Sequence, residues 1–245
     1  MIPVDVLAFA AHPDDAELGC GATLALAAES GLRVAVADLT AGEMATNGTP
    51  ALRLRERDAA SAALGLCDRV CLGLPDGEIG VSARDRTVVL DAIRVFRPRV
   101  VIAPQTALDR HPDHSAAGRL VHEACFLAGV GKLGGDEPPH RPRAVYHYSV
   151  HTPFTPTFVL DVSSAWERKL AAIRAYDSQF GAAPADSTAL AGSTFLDVLE
   201  AKGRYFGAMI GAARGEPFAC LGPLAMSVLP GLTDERPAGF PYVLQ

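Results

Sequence analysis

Residues 4–15 read VDVLAFAAHPDD, a short apolar run that ends in a histidine, a proline and two aspartates. An apolar run of this length, closed by a proline, is typical of a buried strand. A helical pattern follows over residues 17–30 and ends at Gly31, because glycine favours helix termination. A second strand is predicted over residues 33–39, which read RVAVADL. This opening predicts a strand–helix–strand unit with parallel strands.

The same alternation continues through the first half of the chain. Further helices are predicted over 52–66, 85–96 and 115–128, and further strands over 69–72 and 100–103. Strands separated by helical segments indicate a parallel sheet that is covered by helices on both faces. The predicted fold class is therefore α/β, with a Rossmann-like, mostly parallel sheet flanked by helices.

The pattern changes at about residue 131. A loop rich in turn-forming residues is followed by strands and then helices, predicted over 131–142, 144–150, 157–162, 165–176 and 194–211. The segment after Glu216 is rich in proline and glycine and is expected to lie on the surface. We interpret residues 1–245 as one domain, in which 1–130 form the Rossmann-like core with the site and 131–245 form a C-terminal α/β extension that completes it.

Composition restricts the class of protein. Of the 245 residues, 49% are hydrophobic and 20% are charged, which is typical of a globular chain long enough to bury a core. The net charge of −6, without a basic run, argues against a nucleic-acid-binding protein. We expect no membrane segment and no secretory signal, because neither pattern is found. The five cysteines form no CxxC pair, so reduced thiols and a cytoplasmic location are expected.

Two clusters of histidine and aspartate follow predicted strands. Residues 11–15 read AHPDD after the first strand, and residues 109–114 read DRHPDH after the strand at 100–103. In open α/β sheets, ligands bind beyond the carboxyl ends of the strands, where the strand order reverses. The first and fourth strands are neighbours at that point in the commonest arrangement. Both clusters are therefore expected to face one crevice.

These clusters have the residue types of a hydrolytic metal centre. A catalytic zinc takes three histidine or carboxylate ligands and keeps one position open. His12, one of the next two aspartates and a histidine of the second cluster supply three ligands. The remaining carboxylate suits a general base, and the remaining histidine suits an oxyanion donor. The pattern is compatible with Asp14 or Asp15 as the ligand. Either of them, like Asp113, also suits a helix N-cap.

The strings at residues 12–15 and 111–114 resemble the signature of the PIG-L-type (LmbE-like) N-acetylglucosaminide deacetylases. The resemblance continues in family order through segments 42–43, 53–56, 74–77, 140–142, 176–180 and 204–218. The last three segments resemble the bacillithiol-biosynthesis deacetylases in particular. The family resemblance thus spans nearly the whole chain.

The resemblance implies a metal site and catalytic roles. Three residues would hold the zinc: His12, Asp15 and His114. Ferrous iron is an alternative, because a His/Asp/His set suits both ions. Asp14 would be the general base, and His111 would stabilise the tetrahedral oxyanion or help the amine leave. Asp113 would orient a ligand histidine by accepting a hydrogen bond from the ring nitrogen that does not bind the metal, as ligand histidines usually require.

The implied reaction is hydrolysis of the acetamide of N-acetylglucosaminyl L-malate, which gives glucosaminyl malate and acetate. Four residues would contact the sugar or its aglycone: Glu43, Arg53, Asp76 and Arg110. A protein of negative net charge needs local cations for a dicarboxylate, and a guanidinium pairs with a carboxylate in bidentate fashion. Arg53 lies on a predicted helix rich in charges, where a surface ion pair is the alternative role.

Alternatives to this reading concern the substrate and the class of protein. The same chemistry could act on an inositol conjugate, a chitin-type disaccharide or an antibiotic intermediate. A non-catalytic sugar-binding domain is the alternative from another class, but Asp14 and all three implied ligands are intact. The glycines of the Gly19–Gly21 segment lack the spacing of a dinucleotide fingerprint and are interpreted as allowing close packing. We expect a small sugar conjugate as partner, and a homo-oligomer, either a trimer or a hexamer.

Overall fold

Five parallel strands form the centre of the fold in the computed structural model, which describes residues 3–133, 136–181 and 193–224. The strands are β1 (Val6–Ala10), β2 (Val34–Asp38), β3 (Asp68–Cys71), β4 (Val100–Pro104) and β5 (Ala144–Tyr148). They are arranged in the order β3-β2-β1-β4-β5, and every neighbouring pair is parallel. The predicted α/β fold is confirmed. Because β5 belongs to this sheet, the parallel sheet continues past residue 130.

Helices cover both faces of the sheet. They are α1 (Asp15–Glu29), α2 (Pro50–Leu64), α3 (Ala83–Phe96), α4 (Pro112–Leu127), α5 (Trp166–Arg174), α6 (Asp177–Phe180) and α7 (Ser193–Ile210). Successive side chains of β1 enter opposite cores, as the period of two in a strand requires. Ala8 packs into the core that contains α1 and α5, whereas Leu7 and Phe9 pack into the core that contains α3 and α4. All of β1 is buried, which explains its unbroken apolar sequence.

Helix α2 begins at Pro50, two residues before the predicted start. Thr49 caps it, since the Thr49 hydroxyl accepts a hydrogen bond from the Leu52 amide at 3.2 Å. A proline is tolerated in the first turn, because the backbone N–H that proline lacks would have no acceptor within the helix there. The cap therefore sets where α2 starts, and so where Arg53 lies.

The prediction of a surface tail after Glu216 is wrong for its first residues. Residues Gly215–Phe218 form strand β7, which pairs antiparallel with β6 (Phe158–Asp161) in a second, two-stranded sheet. All four residues of β7 are buried. The run combines glycine and proline, and so it reads locally as a turn. Its strand structure comes from pairing with a segment more than fifty residues earlier. Residues 225–245 lie outside the described part of the chain.

Helix α1 is broken at Cys20, whose backbone is not helical (φ −142°). The break leaves amides without intrahelical partners, and the carboxylate of Glu216 accepts hydrogen bonds from Ala22 N at 3.1 Å and Thr23 N at 2.8 Å. Lys169 Nζ donates to the carbonyl of Leu18 at 2.9 Å and lies 2.5 Å from Glu216 Oε1. This buried pair therefore bridges the two halves of α1, the first of which carries Asp15.

Candidate active site

Both predicted clusters lie at the carboxyl ends of adjacent strands. His12 follows β1, and His111 and His114 lie at the start of α4, directly after the loop that leaves β4. The ring centroid of His12 is 4.7 Å from that of His111 and 5.5 Å from that of His114. The chain turns to opposite sides of the sheet at this point, as the strand order shows. The clusters therefore meet in one crevice, where the sequence predicted them.

Asp14 occupies the N-cap position of α1 but does not cap it. Its side chain makes no capping hydrogen bond, and its backbone is left-handed, with φ at 113°. Arg53 Nη2 instead donates to Asp14 Oδ2 at 2.9 Å and to the carbonyl of Pro13 at 2.8 Å. Burial raises the pKa of Asp14 to about 7, while the positive charge of Arg53 opposes that rise. The carboxylate is held by an arginine, and not by the helix.

Arg53 is buried, with 5% of its surface exposed. The alternative of a surface ion pair is therefore wrong for this residue. A third hydrogen bond, from Arg53 Nη1 to the carbonyl of Gly42 at 3.1 Å, fixes the loop after β2. Arg53 also lines the cavity above the histidines, so its guanidinium connects Asp14 to the edge of the site.

Asp15 lies between two histidines. Its Oδ2 is 3.3 Å from His12 Nδ1, and its Oδ1 is 3.1 Å from His114 Nε2. The amide of His12 donates to Asp15 Oδ2 at 2.9 Å, which fixes the carboxylate. The side chains of Asp15 and His114 are 4% and 2% exposed. Asp15 therefore contacts both histidines that the family resemblance implied as ligands, through a different oxygen for each.

Each of the two histidines lies at the spacing of metal donors from one oxygen of Asp15. Donor atoms about 2.0–2.1 Å from a tetrahedral zinc lie roughly 3.3 Å from one another, close to the two spacings around Asp15. Burial lowers the pKa of both ring systems, but the surrounding carboxylates outweigh it and raise the pKa of His12 to about 12 and that of His114 to about 9. The carboxylates around the two histidines therefore favour positive charge at this point of the site.

The outer face of His12 contacts two more carboxylates. Its Nε2 lies 3.0 Å from Asp76 Oδ1 and 3.2 Å from Asp113 Oδ2. Gly77 N donates to the same oxygen of Asp113 at 2.8 Å. A His12 ring that presents Nδ1 to Asp15 has its Nε2–H free to donate on this face. Asp113 thus lies where a partner that orients His12 is needed. Among the described residues, two groups of potential ligands lie close enough to share one ion: His12 with His111 and His114, and His12 with Asp76 and Asp113. Asp15 belongs to neither group.

His111 caps α4, and this fixes its tautomer. Its Nδ1 accepts a hydrogen bond from the amide of Asp113 at 3.2 Å, with Pro112 in the first turn. A neutral ring that accepts at Nδ1 carries its proton at Nε2. Burial lowers the pKa of His111, and the positive charges of His12 and His114 lower it further. His111 therefore presents a neutral N–H donor. The capping role considered for Asp113 belongs to His111.

Residues 7–125 match the PIG-L family, which is described as GlcNAc-PI de-N-acetylase. The chain is 34% identical over 189 residues to the diacetylchitobiose deacetylase of Thermococcus kodakarensis, which covers 71% of this chain and 70% of that protein. The chain belongs to the PIG-L family. The family resemblance that the two histidine motifs carried is thereby confirmed, and the enzyme class that it indicates is a deacetylase.

Two further comparisons extend this PIG-L family relationship. The conserved protein TT1542 from Thermus thermophilus has a TM-score of 0.84 and 41% identity, and the match covers 93% of this chain and 98% of that one. A probable N-acetyl-alpha-D-glucosaminyl L-malate deacetylase 2 of Bacillus cereus is 29% identical over 194 residues, covering 71% of this chain and 83% of that protein. The two deacetylases among these relatives share the family but differ in their named substrates.

Two residues beside the site of this PIG-L family protein carried no predicted role. Asp109 Oδ1 lies 3.7 Å from His114 Nδ1, and Gln105 Nε2 donates to Asp109 Oδ2 at 3.0 Å. His151, in the loop after β5, stacks on His114 with ring centroids 5.2 Å apart. Asp109 is the first residue of the second histidine motif, and this position in the sequence could have indicated that it lies beside the site. His151 reaches the site because β5 lies next to β4, which no local pattern shows.

The four predicted substrate contacts of this PIG-L family protein lie in different surroundings. Arg53, Asp76 and Arg110 line a cavity of about 270 Å³ above the histidines. Glu43 is not among the lining residues, and its carboxylate accepts hydrogen bonds from the amides of Ala41 and Asp76, at 3.2 Å and 2.9 Å. The Arg110 guanidinium makes no hydrogen bond or ion pair within the described part of the chain. Of these four, Arg110 is the unpaired cation.

Proposed function

We propose that the protein hydrolyses the acetamide of an N-acetylglucosaminyl conjugate with a divalent cation held by His12, Asp15 and His114. One observation carries the proposal. Arg53 holds the Asp14 carboxylate in the cavity, one residue from Asp15, where it is free of any capping role. A carboxylate placed beside a cation-binding donor set is the arrangement that general-base hydrolysis needs. Zinc is the proposed ion, with ferrous iron as the alternative that the same donors suit.

The side chains divide the chemistry between them. When bound, the cation would polarise the acetamide carbonyl and lower the pKa of water. Asp14 takes a proton from the attacking water, whose oxygen adds to the carbonyl carbon. The Nε2–H of His111 donates to the oxyanion that forms, because its Nδ1 is occupied by the Asp113 amide. Asp14 then returns the proton to the nitrogen, the carbon–nitrogen bond breaks, and acetate and a free amine leave.

For the substrate, we propose N-acetylglucosaminyl L-malate, which would place the enzyme in bacillithiol biosynthesis in the cytoplasm. The unpaired guanidinium of Arg110 at the edge of the cavity supports an anionic aglycone, because a carboxylate would give it the partner that the protein does not. Asp76 borders the same cavity and suits a sugar hydroxyl. Arg53 contributes its buried positive charge to the cavity wall, although its hydrogen bonds are directed to the protein.

Release of acetate tests this proposal across a panel of conjugates. The malate conjugate, diacetylchitobiose, the inositol conjugate and free N-acetylglucosamine are compared for the native enzyme and for Arg110→Ala. We expect the malate conjugate to be preferred, and Arg110→Ala to raise its KM roughly tenfold or more, since a hydrogen bond to a charged group is lost. The KM for free N-acetylglucosamine should stay within twofold. The exposed Arg119, on α4, gives a matched control as Arg119→Ala.

Each contrary result has a separate meaning. Preference for diacetylchitobiose or the inositol conjugate would overturn the malate assignment and leave the deacetylase chemistry standing. Equal effects of Arg110→Ala on all four substrates would show that Arg110 does not recognise the aglycone. No turnover on any of them, by protein that holds a metal ion, would overturn the proposed reaction.

A further inference from the structure

A second cavity, of about 410 Å³, adjoins the catalytic cavity. Leu18, Arg110 and His151 line both cavities. Leu18 lies one helical turn after Asp15, and His151 stacks on His114. The wall that the two cavities share therefore lies beside the proposed metal ligands.

The walls of the second cavity are mainly apolar. One wall is the loop after β5, with Val150 and Pro153, and the other is a face of α7. Three residues of α7 at helical spacing line it: Phe195, Val198 and Leu199. Lys202 also lines it, but its ammonium already donates to the carbonyls of Ser149 at 2.8 Å and Val150 at 3.2 Å. The wall formed by α7 and the loop after β5 thus offers hydrocarbon contacts, and the free guanidinium of Arg110 lies on the wall that the two cavities share.

The part of the catalytic cavity that is not shared with the second cavity differs in chemistry. Its lining includes polar groups that suit hydroxyls, namely Thr46, Asn47, Asp76 and Gln179. An amide substrate has a corresponding asymmetry, because the sugar is attached to the nitrogen and the alkyl group to the carbonyl carbon. The sugar needs hydrogen-bond partners, and the alkyl group gains from leaving water. The two cavities match these two halves.

We propose that the second cavity is an acyl subsite, which takes the alkyl chain of N-acyl groups longer than acetyl. The inference rests on the proposed function, since the amide must lie between Asp14 and His111 for its chain to enter here. The reaction is the same hydrolysis: water adds to the carbonyl carbon, the carbon–nitrogen bond breaks, and a longer carboxylate and the free amine leave. The substrate class therefore extends to short-chain and medium-chain N-acylglucosaminides.

A series of N-acylglucosamines with acetyl, propionyl, butyryl and hexanoyl groups tests this subsite. Release of the free amine, which is common to all four, is measured as kcat/KM. We expect kcat/KM to hold level or rise with chain length, by up to about fourfold per buried methylene. Val198→Trp, which fills the cavity, should reduce the hexanoyl-to-acetyl ratio of kcat/KM at least tenfold. Asp197→Trp is the matched control, because Asp197 is exposed on α7 and lies outside the lining.

The outcomes separate this proposal from the one on which it rests. Acetyl turnover with a tenfold or greater fall by butyryl would overturn the acyl subsite and leave the deacetylase standing. An unchanged ratio in Val198→Trp would overturn the location of the chain in this cavity. Absence of turnover on every substrate, acetyl included, would overturn the proposed function and the subsite together.

Discussion

Arg53 Nη2 lies 2.9 Å from Asp14 Oδ2, at a residue whose φ of 113° places its backbone in the left-handed region. A residue other than glycine in such a conformation stores on the order of 1–3 kcal/mol of strain. Arg53 holds this turn from three sides, through Asp14 and the carbonyls of Pro13 and Gly42. The orientation of the proposed base therefore depends on one side chain from a distant helix.

Replacement of Arg53 should act mainly on kcat. We expect Arg53→Ala to lower kcat roughly 100-fold with little change in KM, because a base displaced by about 1 Å loses that much rate. Arg53→Lys should recover only part, since lysine lacks the fork that reaches several oxygens. Steady-state kinetics checks both, with Arg55→Ala, exposed on the same helix, as the control. An effect confined to KM would instead make Arg53 a substrate contact.

The pair of Lys169 and Glu216 should contribute strongly to stability. Removing one partner of a buried ion pair costs about 3–5 kcal/mol, because the other charge is left buried and unpaired. Glu216→Ala should therefore lower the free energy of unfolding by about that much, and it also leaves the amides of Ala22 and Thr23 without a partner. Urea denaturation measures the loss, with the exposed Glu167→Ala as the reference. A loss below about 1 kcal/mol would contradict the bridging role.

Two glycines of α1 should respond differently to alanine. A Cβ at Gly19 would lie 1.9 Å from Cδ2 of Tyr148, a ring whose hydroxyl donates to the carbonyl of Phe9 at 3.0 Å. A Cβ at Gly21 would meet its nearest neighbour, Lys169 Cγ, at 3.4 Å. We expect Gly19→Ala to destabilise the protein by about 2 kcal/mol or more, and Gly21→Ala by under about 1 kcal/mol. Similar melting temperatures for both variants would contradict the close packing.

The sequence predicted the parts of the site that depend on which residues directly follow each strand. Each histidine motif follows a strand, and the rule for parallel sheets brings such strand ends together. That rule needs only the alternation of strands and helices, which the apolar runs show. The fold class and the meeting of His12 with His111 and His114 are therefore predictable from one chain.

The remaining features depend on contacts between distant segments. Arg53 reaches Asp14 across 39 positions, and Glu216 reaches Ala22 across 194. A charged helix does not reveal which of its arginines is buried, so Arg53 reads equally as a surface residue. The residues around Glu216 show no strand pattern in the sequence, because the strand forms through pairing with β6. The cytoplasmic location and the trimer or hexamer stay predictions.

The most direct test measures metal content and acetate release on the same samples of enzyme. The enzyme is compared as purified, after chelation, and after return of zinc or ferrous iron, with His114→Ala treated in parallel. We predict about one divalent ion per chain, loss of turnover on chelation and recovery on return of the ion. His114→Ala should neither retain the ion nor recover turnover. Full acetate release by chelated, metal-free enzyme would contradict a metal-dependent deacetylase at this site.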